Sequence, residues 1–189
     1  MTIQQGNKNT TNRFRRDSRN RRDQQPENEY LEKIIYVNRV SKTVKGGRHF
    51  GFSVLVCVGD ENGSVGIALG KAKAVPDAVR KGFERARKDM VKVDLYKDTV
   101  PHPYIGRFGS AEVVIRPAAP GTGVIAGGAS RAIFQALGVK DVLVKRIGSK
   151  NPVNIAKATM NALKAMRSVG TVAKHRNLAP VQVVTGKGE

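Results

Sequence analysis

Three runs rich in β-branched and other apolar residues, separated by turns that contain glycine or aspartate, constrain the fold of this chain most strongly. They occupy residues 34–37, 49–58 and 65–69. Short runs of this composition, bounded by turn residues, are typical of β-strands. The first connection carries Gly46-Gly47 and the second ends in Asn62-Gly63, and both are hairpin signals. The sequence therefore predicts three consecutive antiparallel strands.

An amphipathic pattern follows the third run. Pro76 stands where the first turn of a helix tolerates proline, and apolar side chains then recur at helical spacing as far as Met90. We expect one apolar face of this helix to lie on the sheet. The segment from Gly70 to Lys73 is predicted to be a basic turn that enters the helix.

A proline-rich segment at residues 100–103 interrupts both patterns and is the best candidate for a boundary. Beyond it the sequence predicts a strand at 111–116, a helix ending near Leu137, a strand at 141–147 and a helix opened by Asn151. The order β-α-β-α is typical of a two-layer sandwich. We predict an α+β protein with a basic arm (1–28), a β-β-β-α domain (29–99), a linker (100–106), a second domain (107–172) and a tail (173–189).

Charge indicates the class of partner. The chain has 34 Lys plus Arg against 15 Asp plus Glu, a net charge of +19, which favours a polyanion. RNA, DNA and an anionic membrane all remain open on charge alone. No apolar run approaches the roughly 18–20 residues that cross a bilayer, so we expect a cytoplasmic protein without a membrane span. The arm is predicted to be disordered and to bind phosphate through Arg13, Arg15, Arg16, Arg19, Arg21 and Arg22.

Two glycine patterns resemble nucleotide-binding motifs but do not fit them. Gly66 to Lys71 has one residue too few for a P-loop and lacks the Ser or Thr that would hold magnesium. Gly121 to Ala126 matches GxGxxA, but prolines 117 and 120 interrupt the strand that should lead into it. Cys57 is the single cysteine and lies in an apolar run, which predicts a buried side chain. We predict no catalytic residue, no metal and no cofactor.

Several blocks of sequence, in one order, resemble the bacterial type of the small-subunit ribosomal protein five family. They are Val37–Arg48, Gly70–Pro76, His102-Pro103, Pro120–Gly128 and Gly148–Pro152. The resemblance covers about residues 29 to 172. It implies a first domain similar to a double-stranded-RNA-binding fold and a second domain of the type also found in galactokinase-like small-molecule kinases.

The resemblance also implies a structural role on small-subunit ribosomal RNA. It places such a protein beside small-subunit proteins four and eight, near the head–body neck and the path by which messenger RNA enters, with an influence on translational accuracy. In this chain the expected RNA-binding residues outside the arm are Lys42, Lys45, Gly46, Gly47, Arg48, Lys71, Lys73, Arg85 and Lys88. The expected contacts with protein four are Gly121, Thr122, Gly123 and Arg131.

Two other classes of function remain open at this stage. A free-standing regulator that binds double-stranded RNA would carry the same charge. A small-molecule kinase would need acidic metal ligands beside its glycine-rich segment, and residues 117–131 contain neither Asp nor Glu.

Overall fold

The computed structural model describes residues 30–185, which form an α+β protein with two four-stranded sheets. The first sheet has the order β1-β2-β3-β4 and is antiparallel throughout. Its elements are β1 (Leu31–Val44), β2 (Gly47–Gly59), β3 (Ser64–Ala72), α1 (Val75–Lys88) and β4 (Val91–Lys92). The three predicted strands and the helix are confirmed. The two-residue strand β4 was not predicted.

The central strand β2 is buried on both faces. Val54, Val56 and Val58 lie in a cluster with α1, whereas Leu55 and Cys57 lie in a second cluster with side chains of the carboxy-terminal half. A strand that alternates between two cores has no solvent face, which explains why residues 54–58 are continuously apolar. The first sheet therefore lies as a middle layer between α1 and the described carboxy-terminal half.

Strand β3 extends further than the sequence predicts. Gly70, Lys71 and Ala72 continue the strand, so the predicted basic turn at this point was wrong. The reason is the close approach of α1: a Cβ on Gly66 would collide with the Ala86 carbonyl oxygen. A Cβ on Gly70 would likewise collide with the carbonyl oxygen of Ala78. The glycines here serve helix-on-sheet packing instead of a turn.

The second sheet has the order β5-β6-β8-β7, with β7 parallel to β8 and the other pairs antiparallel. The elements are β5 (Tyr104–Phe108), β6 (Ala111–Pro117), β7 (Val124–Ile125), α2 (Gly128–Leu137), β8 (Val142–Gly148), α3 (Pro152–Ala165), α4 (Val169–Arg176) and α5 (Pro180–Thr185). The predicted order β-α-β-α was incomplete, because β5 and β7 were missed. Tyr104, placed in the predicted linker, already begins β5.

The predicted helix ends in this half are confirmed. Gly138 follows α2 with a left-handed backbone (φ 86°), and its N–H donates to Gln135 and Phe134 carbonyl oxygens. The Asn151 side chain accepts a hydrogen bond from the Val153 N–H at the start of α3. Helices α2 and α3 cover one face of the second sheet, with Ile133, Phe134 and Leu163 fully buried.

The turn between β2 and β3 docks on the end of α2. The backbone N–H of Glu61 donates to the Ala136 carbonyl at 3.1 Å, and that of Gly63 donates to the Leu137 carbonyl at 3.1 Å. These carbonyls belong to the last turn of the helix, where partners within the helix are missing. The first sheet thus caps a helix of the carboxy-terminal half.

Candidate nucleic-acid interface

The hairpin of β1 and β2 carries three of the predicted RNA-binding cations. Lys42, Lys45 and Arg48 are all exposed, and Lys45-Gly46 forms the two-residue turn between Val44 and Gly47. Gly46 has φ 94°, in the region that only glycine enters without strain, whereas Gly47 has φ 158°, close to extended backbone. Of the two glycines that the sequence singles out, Gly46 is the one that the turn requires.

No carboxylate within residues 30–185 forms an ion pair with these hairpin cations. The ion pairs found in that range join Arg87 with Glu32, Arg107 with Glu112, and Lys140 with Asp98. The positive charges of the hairpin are therefore not neutralised by any carboxylate within the described residues. They can bind phosphate without first breaking an ion pair.

A groove of about 560 Å³ lies at the base of the hairpin, where β3 ends beside β2. Lys71, Lys73 and Lys81 line it, together with Phe52 and the carboxylate of Asp77. Three cations against one carboxylate leave this groove positive. It joins Lys71 and Lys73, both predicted to bind RNA, to the β1–β2 hairpin.

A second groove, of about 750 Å³, runs between β3 and α1 and shares Lys71 and Lys81 with the first. It also contains Arg85 and Lys88, with Glu84 and Asp89 as acidic neighbours. Arg85 donates through Nη1 to the Leu69 carbonyl at 3.3 Å, which holds its guanidinium at the groove wall. The structure therefore brings Lys71, Lys73, Arg85 and Lys88 onto one continuous surface, which we call the α1–β3 basic surface.

Lys81 belongs to the α1–β3 basic surface but was not among the predicted binding residues. Its signal was present in the sequence: residues 81, 85 and 88 are four and three apart, a spacing that places them on one face of a helix. Lys145, Arg146 and Lys150, which were not among the predicted residues either, line a further depression of about 380 Å³ beside Gly127. Lys145 and Arg146 are adjacent cations in β8, and this pair is visible in the sequence.

The glycine-rich segment lies apart from the basic surface, between β6 and α2. Gly121 and Gly123 have φ 86° and 78°, and Thr122 donates through Oγ1 to the Ala119 carbonyl at 2.7 Å. Asp141, itself buried, accepts a hydrogen bond from the Gly123 N–H at 2.8 Å. In a dinucleotide-binding motif an acidic residue at a similar distance in sequence from the glycines would bind the ribose. Here the Asp141 carboxylate instead binds the backbone of the glycine-rich segment.

Arg131 lies on the exposed side of α2, next to this segment. Its Nη2 donates to the Val124 carbonyl at 3.3 Å, which bends the side chain toward the glycine-rich loop. The four residues predicted to form a protein contact, Gly121, Thr122, Gly123 and Arg131, are thus brought together at one end of the second sheet.

The outer face of the second sheet exposes several apolar side chains among charged ones and has no helix on it within the described residues. Ile105 and Ile147 are 48% and 50% exposed, and Leu143 and Ile125 lie on the same face. Large exposed apolar patches on soluble domains are typical of protein interfaces. Arg107, Glu112, Arg116 and Lys145 alternate with these side chains on that face.

The single cysteine of the chain is buried. Burial raises the pKa of the Cys57 thiol to about 12, and its Sγ faces the Ala132 carbonyl at 3.6 Å, so it is a buried core residue as expected. Within residues 30–185 there is no group of three or more His, Cys, Asp or Glu that could hold a metal ion. No helix in that range is long and apolar enough to cross a bilayer.

The arginines of the arm, Arg13 to Arg22, lie outside the described residues. Their predicted role in phosphate binding therefore stays a prediction.

Comparison with known proteins gives matches to both halves of the chain. The family model described as ribosomal protein S5, N-terminal domain, matches residues 30–94, and the model described as ribosomal protein S5, C-terminal domain, matches residues 106–176. Relatives described as small ribosomal subunit protein uS5 are similar over most of their length. That of Syntrophobacter fumaroxidans is 54% identical over 146 residues, covering 77% of this chain and 88% of the relative.

Two further relatives with the same description extend the comparison. The protein of Chloroflexus aurantiacus is 50% identical over 156 residues, covering 82% of this chain and 88% of its own. The protein of a Ruegeria species is 46% identical over 171 residues, covering 90% of this chain and 91% of the relative.

Proposed function

Because the chain belongs to the ribosomal protein S5 family, we propose that it is built into the small ribosomal subunit through the β1–β2 hairpin and the α1–β3 basic surface. It is a structural constituent of that subunit and not an enzyme. Small-subunit ribosomal RNA is its principal partner, and its place is the ribosome.

The observation that carries this proposal is the set of unneutralised cations on the hairpin. Lys42, Lys45 and Arg48 are exposed and have no carboxylate partner within residues 30–185. The α1–β3 basic surface begins at the base of the same hairpin. Phosphate contacts of this kind supply a large share of the affinity of nucleic-acid-binding proteins.

The finer assignment follows the resemblance. The hairpin reaches the RNA of the head–body neck, close to the path by which messenger RNA enters, and supports assembly there. The arm with Arg13, Arg15, Arg16, Arg19, Arg21 and Arg22 adds phosphate contacts. The segment from Gly121 to Arg131 contacts small-subunit protein four and affects translational accuracy.

Small-subunit protein eight is assigned to the outer face of the second sheet. The exposed Ile105, Leu143 and Ile147 support this, because exposed apolar side chains on a sheet face favour cover by a protein neighbour. Arg107, Glu112 and Lys145 lie between these side chains on the same face, so the surface is of mixed polarity, as non-obligate interfaces are.

Co-sedimentation in magnesium tests the proposal against a free-standing regulator of double-stranded RNA. The chain, expressed in cells, should sediment with small subunits and stay there after a wash in moderate salt. A predominantly free pool that binds short RNA duplexes would overturn the proposal and favour the regulator.

A further inference from the structure

An exposed arginine and an exposed phenylalanine form a stacked pair on the β1–β2 hairpin. The Arg39 guanidinium carbon lies 4.1 Å from the centroid of the Phe50 ring. Phe50 nevertheless remains 52% exposed, the largest exposed fraction among the described phenylalanines and tyrosines. Arg39 therefore lies over the ring while about half of the residue stays accessible to a partner.

The strand register places this pair beside a cation of the proposed RNA-binding set. Arg39 is paired with Phe52 and Ser41 with Phe50, so Arg39 and Phe50 share one face of the hairpin. Arg48 is two residues before Phe50 on β2 and lies on that face as well. Residues two apart in a strand are about 7 Å apart, which is the scale of one nucleotide.

In the part of the chain that the structure describes, neither member of the pair has another partner that accounts for it. Within residues 30–185 no carboxylate pairs with Arg39, and Phe50 is absent from both apolar clusters, whereas Phe52 is packed against the one under α1. An exposed aromatic ring that is braced by a guanidinium and flanked by a free cation is a suitable platform for stacking.

We propose that the Arg39–Phe50 pair stacks an unpaired nucleobase of the RNA, with Arg48 on the adjoining phosphate. This inference rests on the proposed function and specifies the form of RNA that the hairpin recognises. Bases in an A-form duplex are stacked on each other and offer no free face, so the pair selects a looped-out or single-stranded nucleotide. The phosphate contacts give affinity, and the stacking gives preference for that form.

The absence of tryptophan from the chain allows a direct test. Phe50→Trp in the full-length protein introduces a single indole at the proposed stacking site. Its fluorescence should be quenched by a single-stranded RNA of twelve adenylates and by small-subunit ribosomal RNA, and much less by a fully paired twelve-base-pair duplex. Equal quenching by strand and duplex, or none with any RNA, would overturn the inference.

A matched control uses another exposed aromatic ring with a cation over it. Tyr96 is 40% exposed and has the Lys97 Nζ 5.7 Å from its ring centroid, but it lies outside the hairpin. Tyr96→Trp should keep its emission when RNA binds. Quenching of both indoles alike would show a general effect of bound RNA and would overturn the assignment to Phe50.

Affinity measurements separate this inference from the proposed function. Phe50→Leu should weaken binding of the single strand by about tenfold, as loss of one base stack does, and leave the salt dependence of binding unchanged. Phe50→Tyr should bind like the wild type. If Phe50→Leu binds as tightly as the wild type while the salt dependence stays steep, stacking is wrong and the phosphate contacts stand. Failure of the wild type to bind small-subunit RNA would instead remove the proposed function.

Discussion

Asp141 Oδ1 accepts a hydrogen bond from the Gly123 N–H at 2.8 Å and so fixes the glycine-rich segment to the start of β8. The Gly123 carbonyl in turn accepts from the Val142 N–H at 3.2 Å. Both polar groups of one glycine are thereby held by two consecutive residues. The segment proposed to contact a neighbouring protein is braced on the sheet before any partner arrives.

Asp141→Ala should destabilise the protein by about 1–3 kcal/mol, because it leaves the Gly123 N–H without its acceptor. Hydrogen exchange should quicken in residues 120–125. Denaturant unfolding and exchange measured by mass spectrometry would check this. The control is Asp98→Ala, which removes a solvent-exposed ion pair with Lys140 and should leave the free energy of unfolding nearly unchanged. Equal losses in the two variants would contradict the bracing role.

Gly70→Ala should destabilise the fold by about 2 kcal/mol or more, since the new Cβ meets the Ala78 carbonyl oxygen of α1. The neighbouring change Lys71→Ala is the matched control, because Lys71 is exposed on the same strand. It should leave the free energy of unfolding within about 0.5 kcal/mol and weaken RNA binding. A well-tolerated alanine at position 70 would show that α1 is not packed as closely as described.

Gly70 illustrates a feature of the fold that the sequence does not predict. Hydrophobic runs predict β1, β2, β3 and β6 because the β-branched and apolar composition of these strands is visible in their own residues. Gly70-Lys71 looks like a turn, since the helix that excludes a side chain there is distant in sequence. Strand β5 was missed for a related reason: Gly106 in its centre resembles a break, yet it faces the Ala158 carbonyl oxygen of α3.

The candidate site was predictable where it depends on local residues. The hairpin cations and the turn glycine are adjacent in sequence, so their shared position follows from the strand pattern. The link between Lys71 and Arg85, and the anchoring of Gly123 by Asp141, depend on tertiary packing of α1 and β8. Only the structure brings those groups together.

Stability at acidic pH should depend on Asp60. Its burial alone would raise the pKa, but hydrogen bonds from the Ser64 and Asn62 N–H groups outweigh this and lower it below the usual value. A lowered pKa in the folded state means that the stabilisation is present above the usual value of about 3.9 and is lost as pH falls through the lowered pKa. Asp60→Asn should therefore flatten the fall in melting temperature below about pH 4. Identical acid profiles would contradict this.

Arg131→Ala should alter decoding fidelity in ribosomes that still assemble. Removal of this exposed cation should loosen the proposed junction with protein four by only ~1 kcal/mol. Misreading of a reporter in cells that carry the variant would measure the effect. Lys174→Ala, an exposed cation in α4, is the control and should leave misreading unchanged. Normal misreading in Arg131→Ala ribosomes would remove the role in accuracy.

The salt dependence of binding to small-subunit ribosomal RNA tests the central claim most directly. Each phosphate contact contributes about 0.7–0.9 to the slope of log affinity against log salt concentration. Replacing Lys42, Lys45 and Arg48 together with alanine should lower the slope by about 2–3 and leave the melting temperature unchanged. Replacing three exposed cations outside the proposed surfaces, Lys140, Lys164 and Lys174, should leave the slope within about 0.5 of the wild type. An equal slope in the wild type and the hairpin variant would contradict the assignment of the β1–β2 hairpin to ribosomal RNA.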